Sequence, residues 1–125
     1  MTFLNDNVFD KGLEWLVTNG TRIDITIGEA ATYGEATTDG TKSAGYKSSI
    51  TIGNPGDRTP SGRKVTVPQI TGGTVTESGT ATYWAITNGS DTLCATGALN
   101  AGQVVTDGNT WQTTATFDIG IPDPA

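Results

Sequence analysis

The chain has 125 residues, a net charge of −6, one cysteine and no histidine. That balance lacks the clustered positive charge that nucleic acids and anionic membranes require, so neither is an expected partner. Without histidine the usual general base, most zinc sites and a Ser-His-Asp triad are excluded.

A high threonine content and 17 glycines favour pleated strands and turns over long helices. One domain over residues 1–125 is expected, with an N-terminal helix in residues 1–20 and a β-sandwich in 21–125. Residues 5–19 read as an amphipathic helix. Asn5 stands at the N-cap, Leu4 and Phe9 fit a hydrophobic staple, and Asn19-Gly20 is a stop signal. Leu4, Val8, Phe9, Leu13, Trp15 and Leu16 fall on one broad half of the wheel. A face this wide packs on the domain's own sheet or docks on a neighbour.

Residues 21–28 alternate cleanly, which sets Ile23, Ile25 and Ile27 in one core-facing row against Arg22, Asp24 and Thr26. Residues 29–62 are loop-rich, with a turn at Asp39-Gly40 and a strand over 46–53. Residues 63–70 form a strand that Pro68 ends or confines to an edge. Residues 80–97 read as a β-hairpin turning at Asn88-Gly89 through a type I′ turn. Its first strand is apolar on both faces, Tyr83 with Ala81 and Ala85, Trp84 with Ile86. One face meets the core, and the other needs the N-terminal helix or another subunit. Residues 103–106 and the turn Asp107-Gly108-Asn109 precede a last strand over 110–121, with Trp111, Ala115, Phe117, Ile119 and Ile121 in one register. The expected fold is mainly β, an Ig-like or jelly-roll-like sandwich of about six to eight antiparallel strands.

Candidate chemistry is sparse. Asp39, Asp57, Asp91 and Asp107 sit in turns, where aspartate serves the backbone, and none has the ligand spacing of a calcium loop. Cys94 reads as a small apolar residue in a strand, and a lone cysteine argues for synthesis in a cytoplasm. No cofactor or metal is expected. No apolar run reaches membrane-spanning length, and the N-terminus lacks a signal-peptide core. Lys42, Lys47, Arg58, Arg63 and Lys64 concentrate most of the positive charge in one stretch. That stretch is either a solvated loop or a docking surface for an acidic neighbour.

Three passages carry a resemblance: FLNDNVFDKGLEWLVTNGTRIDI, then PSGRKVTVPQI, then GTATYWAITNGSDTLCATGAL with a β segment closing in DIGIPDPA. In this order they resemble small structural proteins of tailed bacteriophages and gene transfer agents. The resemblance implies a virion protein without catalysis, most like a head decoration (cement) protein on the capsid exterior, made in the host cytoplasm. The major capsid protein is then the expected partner, with self-association on the lattice. A tail or neck component is the alternative, and a carbohydrate- or receptor-binding sandwich is a second one, which requires exposed Trp84 or Trp111. Phe9, Leu13, Leu16, Lys42, Lys47, Arg58 and Trp84 are the expected partner contacts.

Overall fold

The computed structural model describes residues 5–38 and 41–122. The staple at Leu4, the Val8 side chain and the Asp39-Gly40 turn fall outside what it describes. Helix α1 (Asp6–Asn19) leads into β1 (Arg22–Thr26), a short helix α2 (Tyr33–Thr37), β2 (Ser43–Ser48) and β3 (Gly56–Asp57). Then come β4 (Arg63–Val67), β5 (Gly73–Val75), β6 (Gly79–Thr87), β7 (Leu93–Val105), β8 (Thr110–Trp111) and β9 (Phe117–Ile121). The chain is mainly β, with an N-terminal helix, as expected. A six-stranded sheet ordered β7-β6-β1-β2-β5-β8 faces a three-stranded sheet ordered β3-β4-β9. All the strand pairs are antiparallel.

The apolar face of α1 turns inward. Phe9, Leu13 and Leu16 are buried, and the helix lies on β4. Arg63 of β4 fixes it there, donating from Nε and Nη2 to the two Asp10 carboxylate oxygens at 2.9 and 3.2 Å. Gly20 lets the helix end approach the sheet. A Cβ at that position would sit 2.8 Å from Ile52 and 2.9 Å from Ile86. Trp15 departs from the expected apolar face and is 50% exposed.

Strand β1 is the middle of the large sheet. Ile23 pairs with Ile86 and Ile25 with Trp84, all facing a core completed by Val65 and Val67 of β4. The β1–β2 register shifts between Ile25 and Thr26, where Ala44 is the extra residue on β2, and just past the strand Ile27 is half exposed and outside the expected row. The opposite face of β1 is also covered, by α2 and its flanking loop. Ala30 and Ala36 pack on Ala85 of β6, with Leu93 beside them. The second apolar face of the hairpin strand is therefore closed by a segment expected to be irregular. Neither the N-terminal helix nor another subunit is required there.

That cover buries Asp24 completely. Arg22 donates to both of its oxygens at 2.8 and 3.0 Å, and Ser43 Oγ donates to Oδ2 at 2.7 Å. The hydrogen bonds that Arg22 donates to Asp24 hold the guanidinium above its ordinary pKa. Arg22 also stacks over Tyr46, 4.5 Å from the ring centroid, and donates to Thr37 O at the end of α2.

Other boundaries shift for local reasons. Strand β2 starts at Ser43 and stops at Ser48, because Ser49 takes a left-handed φ of 57°. The hairpin turn is longer than a type I′ turn. Asn88 Oδ1 accepts from the backbone N–H groups of Ser90, Asp91 and Thr92, and strand pairing resumes at Thr87 and Leu93. The expected last strand is two strands. Thr110–Trp111 belongs to the large sheet, residues 112–116 cross over, and Phe117–Ile121 joins the small sheet.

Two outcomes follow. Arg22→Met leaves the buried Asp24 carboxylate without its cation and is expected to lower stability by about 3 kcal/mol, read from the urea midpoint. On β9, hydrogen bonds from Lys64 and then Thr66 depress the Asp118 pKa below its usual 3.8. This contribution is fully present above that value and is lost as pH falls through the lower folded one. Asp118→Asn should cost at most about 1 kcal/mol at neutral pH, because the pair is half exposed. The deficit should close below about pH 4 in a stability–pH series.

Candidate binding groove

Strands β7 and β8 lie at opposite ends of the large sheet's strand order, yet only residues 106–109 connect them. The sheet is therefore curled back on itself. The connecting turn is held by Gly108 N–H donating to Val75 O at 3.2 Å and Asp107 N–H donating to Ser78 Oγ at 2.9 Å. Across the remaining seam, Gln103 Nε2 donates to Gln112 O at 3.0 Å.

The β6–β7 register passes from Tyr83↔Ala98 to Ala81↔Gln103, so residues 99–102 bulge out opposite Thr82. This shift also turns Ala81 into the core with Trp84, not onto the face of Tyr83 as strict alternation predicts. The bulge forms one wall of a groove of about 230 Å³. The crossover at residues 112–116 forms the other. It is anchored through Thr113, whose N–H donates to Ile70 O at 2.9 Å and whose Oγ accepts from Ile70 N–H at 2.8 Å.

The floor is Ile25, Trp84, Trp111 and Phe117. Glycines set both tryptophans. Trp84 lies over Gly97, where a Cβ would come within 2.5 Å of the ring. Trp111 lies over Gly73 and Gly45 and donates from Nε1 to Tyr46 O at 3.3 Å. Phe117 packs on Trp84 with centroids 4.8 Å apart. The rim is Asn100, Gln103, Gln112, Thr113, Thr114 and Thr116. Among the described residues, no charged side chain lines the groove. A floor of rings under amides and hydroxyls suits an uncharged apolar group with a few hydrogen-bonding atoms. It offers no acid, base or nucleophile. Cys94 packs against the core, and burial pushes its thiol pKa up, away from reactive thiolate.

The structure scatters the expected partner contacts. Phe9, Leu13 and Leu16 are buried and present little surface to a neighbour, and Trp84 is buried in the sheet core except where it borders the groove. Lys42 donates to Glu29 O at 2.8 Å and lies 3.4 Å from Glu35. Lys47 extends from β2 toward Gly72. Arg58 donates to Ser61 O within the connection between β3 and β4. Arg63 joins Asp10 and Asp57, and Lys64 joins Asp118. The basic stretch is thus spread over both sheets and largely tied to acceptors. Trp84 alone of the expected contacts borders the groove. The register of the last strand points to Trp111, whereas the bulge at 99–102 and the seam leave no periodic signal in the sequence.

Gly97→Ala forces a methyl into the Trp84 ring. It should cost about 1–3 kcal/mol and shift tryptophan emission. Gly12→Ala, with open space around it, should raise stability by up to about 1 kcal/mol. No protein-family model, curated protein or solved structure matches the chain.

Proposed function

We propose that this chain is a non-enzymatic virion structural protein, a head decoration protein that binds the outer capsid lattice and stabilises the head. It docks through the groove, which receives an uncharged, partly apolar segment of the major capsid protein. The observation that carries this reading is the groove's ring-lined floor under a wholly uncharged rim, in a protein of net charge −6. Repetition over a lattice lets each such contact be modest and still give firm attachment. The resemblance of the three sequence passages supplies the partner class.

The groove replaces the two contacts first expected from sequence. The helix face is occupied by the protein's own core, and the basic residues do not form one patch. A carbohydrate platform is disfavoured by burial, since Trp84 and Trp111 are only 9% and 3% exposed. A stacking site needs an open ring face, and Phe117 and Gly97 flank the Trp84 ring.

Ala101 and Thr116 are exposed on the two walls. Ala101→Glu with Thr116→Glu sets carboxylates at the mouth and should weaken co-sedimentation with expanded capsids at least tenfold, a loss of about 1.4 kcal/mol. Reversal of Lys42, Lys47 and Arg58 should have the smaller effect. Normal binding by the groove variant sinks the docking assignment. Failure of the native protein to bind any capsid sinks the decoration reading itself, and attachment as a single ring moves it to the tail or neck.

A further inference from the structure

An asparagine followed by glycine is open to attack on its own side-chain amide, because the glycine nitrogen has no Cβ beside it to hinder the approach. The chain holds two such pairs in nearly the same local sequence, Thr18-Asn19-Gly20-Thr21 and Thr87-Asn88-Gly89-Ser90. The fold treats them in opposite ways. Gly20 is buried against Ile52 and Ile86, and its N–H donates to Leu16 O at 2.7 Å. Asn19 Nδ2 donates to Trp15 O at 2.8 Å. The Gly20 nitrogen cannot turn onto the Asn19 amide without undoing the end of α1.

Gly89 is exposed, at a φ of 76°, and a Cβ there would meet no atom nearer than Thr21 Oγ1 at 3.8 Å. Its N–H donates only to the Thr87 hydroxyl, at 3.2 Å. The Asn88 main chain is held on both sides, its N–H donating to Thr92 O at 3.1 Å and its carbonyl accepting from Thr21 Oγ1 at 3.2 Å. The side chain is held at both ends. Oδ1 accepts from the N–H groups of Ser90, Asp91 and Thr92, and Nδ2 donates to Asp91 Oδ1 at 2.9 Å. Three backbone N–H groups converging on a carbonyl oxygen polarise it and stabilise negative charge that forms there, as an oxyanion hole does. The hydrogen bonds from Asn88 and then Thr92 keep the Asp91 pKa below its usual range, so a carboxylate stands beside the leaving nitrogen.

We propose that Asn88 is a self-modification site, converted to aspartate or isoaspartate by the turn that holds it. Gly89 N forms a bond to Asn88 Cγ and gives up its proton to water. The carbonyl electron pair moves onto Oδ1, within the three N–H groups. It returns as the Cγ–Nδ2 bond breaks, and Nδ2 takes a proton from water and leaves as ammonia. A water molecule then opens the cyclic imide at either carbonyl. The net change is hydrolysis of one amide, and water is the only co-reactant. The product sets a second carboxylate against Asp91 with no N–H between them, so the turn joining β6 to β7 loses a bond and gains a like-charge pair. This does not depend on the capsid reading, since Asn88 lies outside the groove.

Prolonged incubation of the full chain at neutral pH, followed by peptide mass mapping, tests it. Replacement of NH2 by OH should appear at Asn88 at least about tenfold faster than at Asn19, with isoaspartate among the products. The matching neighbours of the two asparagines cancel the effect of local sequence. The same chain unfolded in guanidinium supplies the reference. There the two sites should react at similar rates, and Asn88 should react severalfold more slowly than in the folded protein. Asp91→Asn removes the carboxylate beside Nδ2 and should slow conversion of Asn88 while leaving Asn19 unchanged. Slower reaction of Asn88 in the folded chain than in the unfolded one overturns the proposal, because the turn then shields the amide. So do equal rates at Asn19 and Asn88 in the folded chain.

Discussion

The structure depends on β1 being enclosed on both faces. A central strand with two covered faces must satisfy two different chemistries within five residues. On the inner face Ile23 and Ile25 do so by apolar burial against Ile86, Trp84 and the small sheet. On the outer face Asp24 does so by charge pairing at zero exposure. Removing that carboxylate from water costs several kcal/mol, offset only when every oxygen is well bonded. Arg22 and Ser43 provide those bonds, and Arg22 then reaches Thr37 O. The ion pair therefore does more than neutralise a charge. It fixes where the α2 segment lies, and that segment keeps water from the pair.

The two tryptophans apply a second constraint. Each lies against a neighbouring strand at glycine, Trp84 on Gly97 and Trp111 on Gly73 and Gly45. Any larger residue would lift the ring off the sheet. A ring lying flat buries a large area without filling the space above it. Phe117 fills part of that space from the opposite sheet, and the rest is the groove. Core and groove thus share the same side chains. The seam stays open because β7 and β8 meet through one glutamine side chain and not through a ladder.

Much of this was legible in the sequence where one local rule acted alone. The helix followed from its apolar stripe and Asn19-Gly20, β1 from strict alternation, and the end of β4 from Pro68. The failures come from tertiary context. Helix α2 sits in an aperiodic run of Ala, Thr and Gly, and its one signal is Thr32-x-x-Glu35. Thr32 Oγ accepts from Glu35 N–H at 3.1 Å, and Glu35 Oε1 accepts from Ala31 N–H at 2.8 Å, a capping arrangement. The last strand read as continuous because Trp111 and Phe117 both face the core, although from opposite sheets. The hairpin turn departs from type I′ because Asn88 Oδ1 gathers three N–H groups, which Asn-Gly alone does not reveal. The groove was invisible because its walls are a bulge and a crossover, both set by how the sheet closes.

Charge placement separates structure from surface. Within the basic stretch, Lys42, Arg63 and Lys64 make ion pairs inside the fold. Arg63 ties α1 and Asp57 to β4, Lys64 ties β4 to β9, and Lys42, just before β2, ties that strand's start to α2 through Glu35. The groove and residues 92–106 carry no charge at all. A protein that docked through its basic stretch would lose affinity steeply with salt, because exposed charges are screened within about 8 Å at physiological ionic strength. Contacts through neutral surfaces do not. Salt screens charge–charge contacts and leaves ring burial intact. Docking through the groove should therefore hold as salt rises, whereas docking through Lys42, Lys47 and Arg58 would weaken.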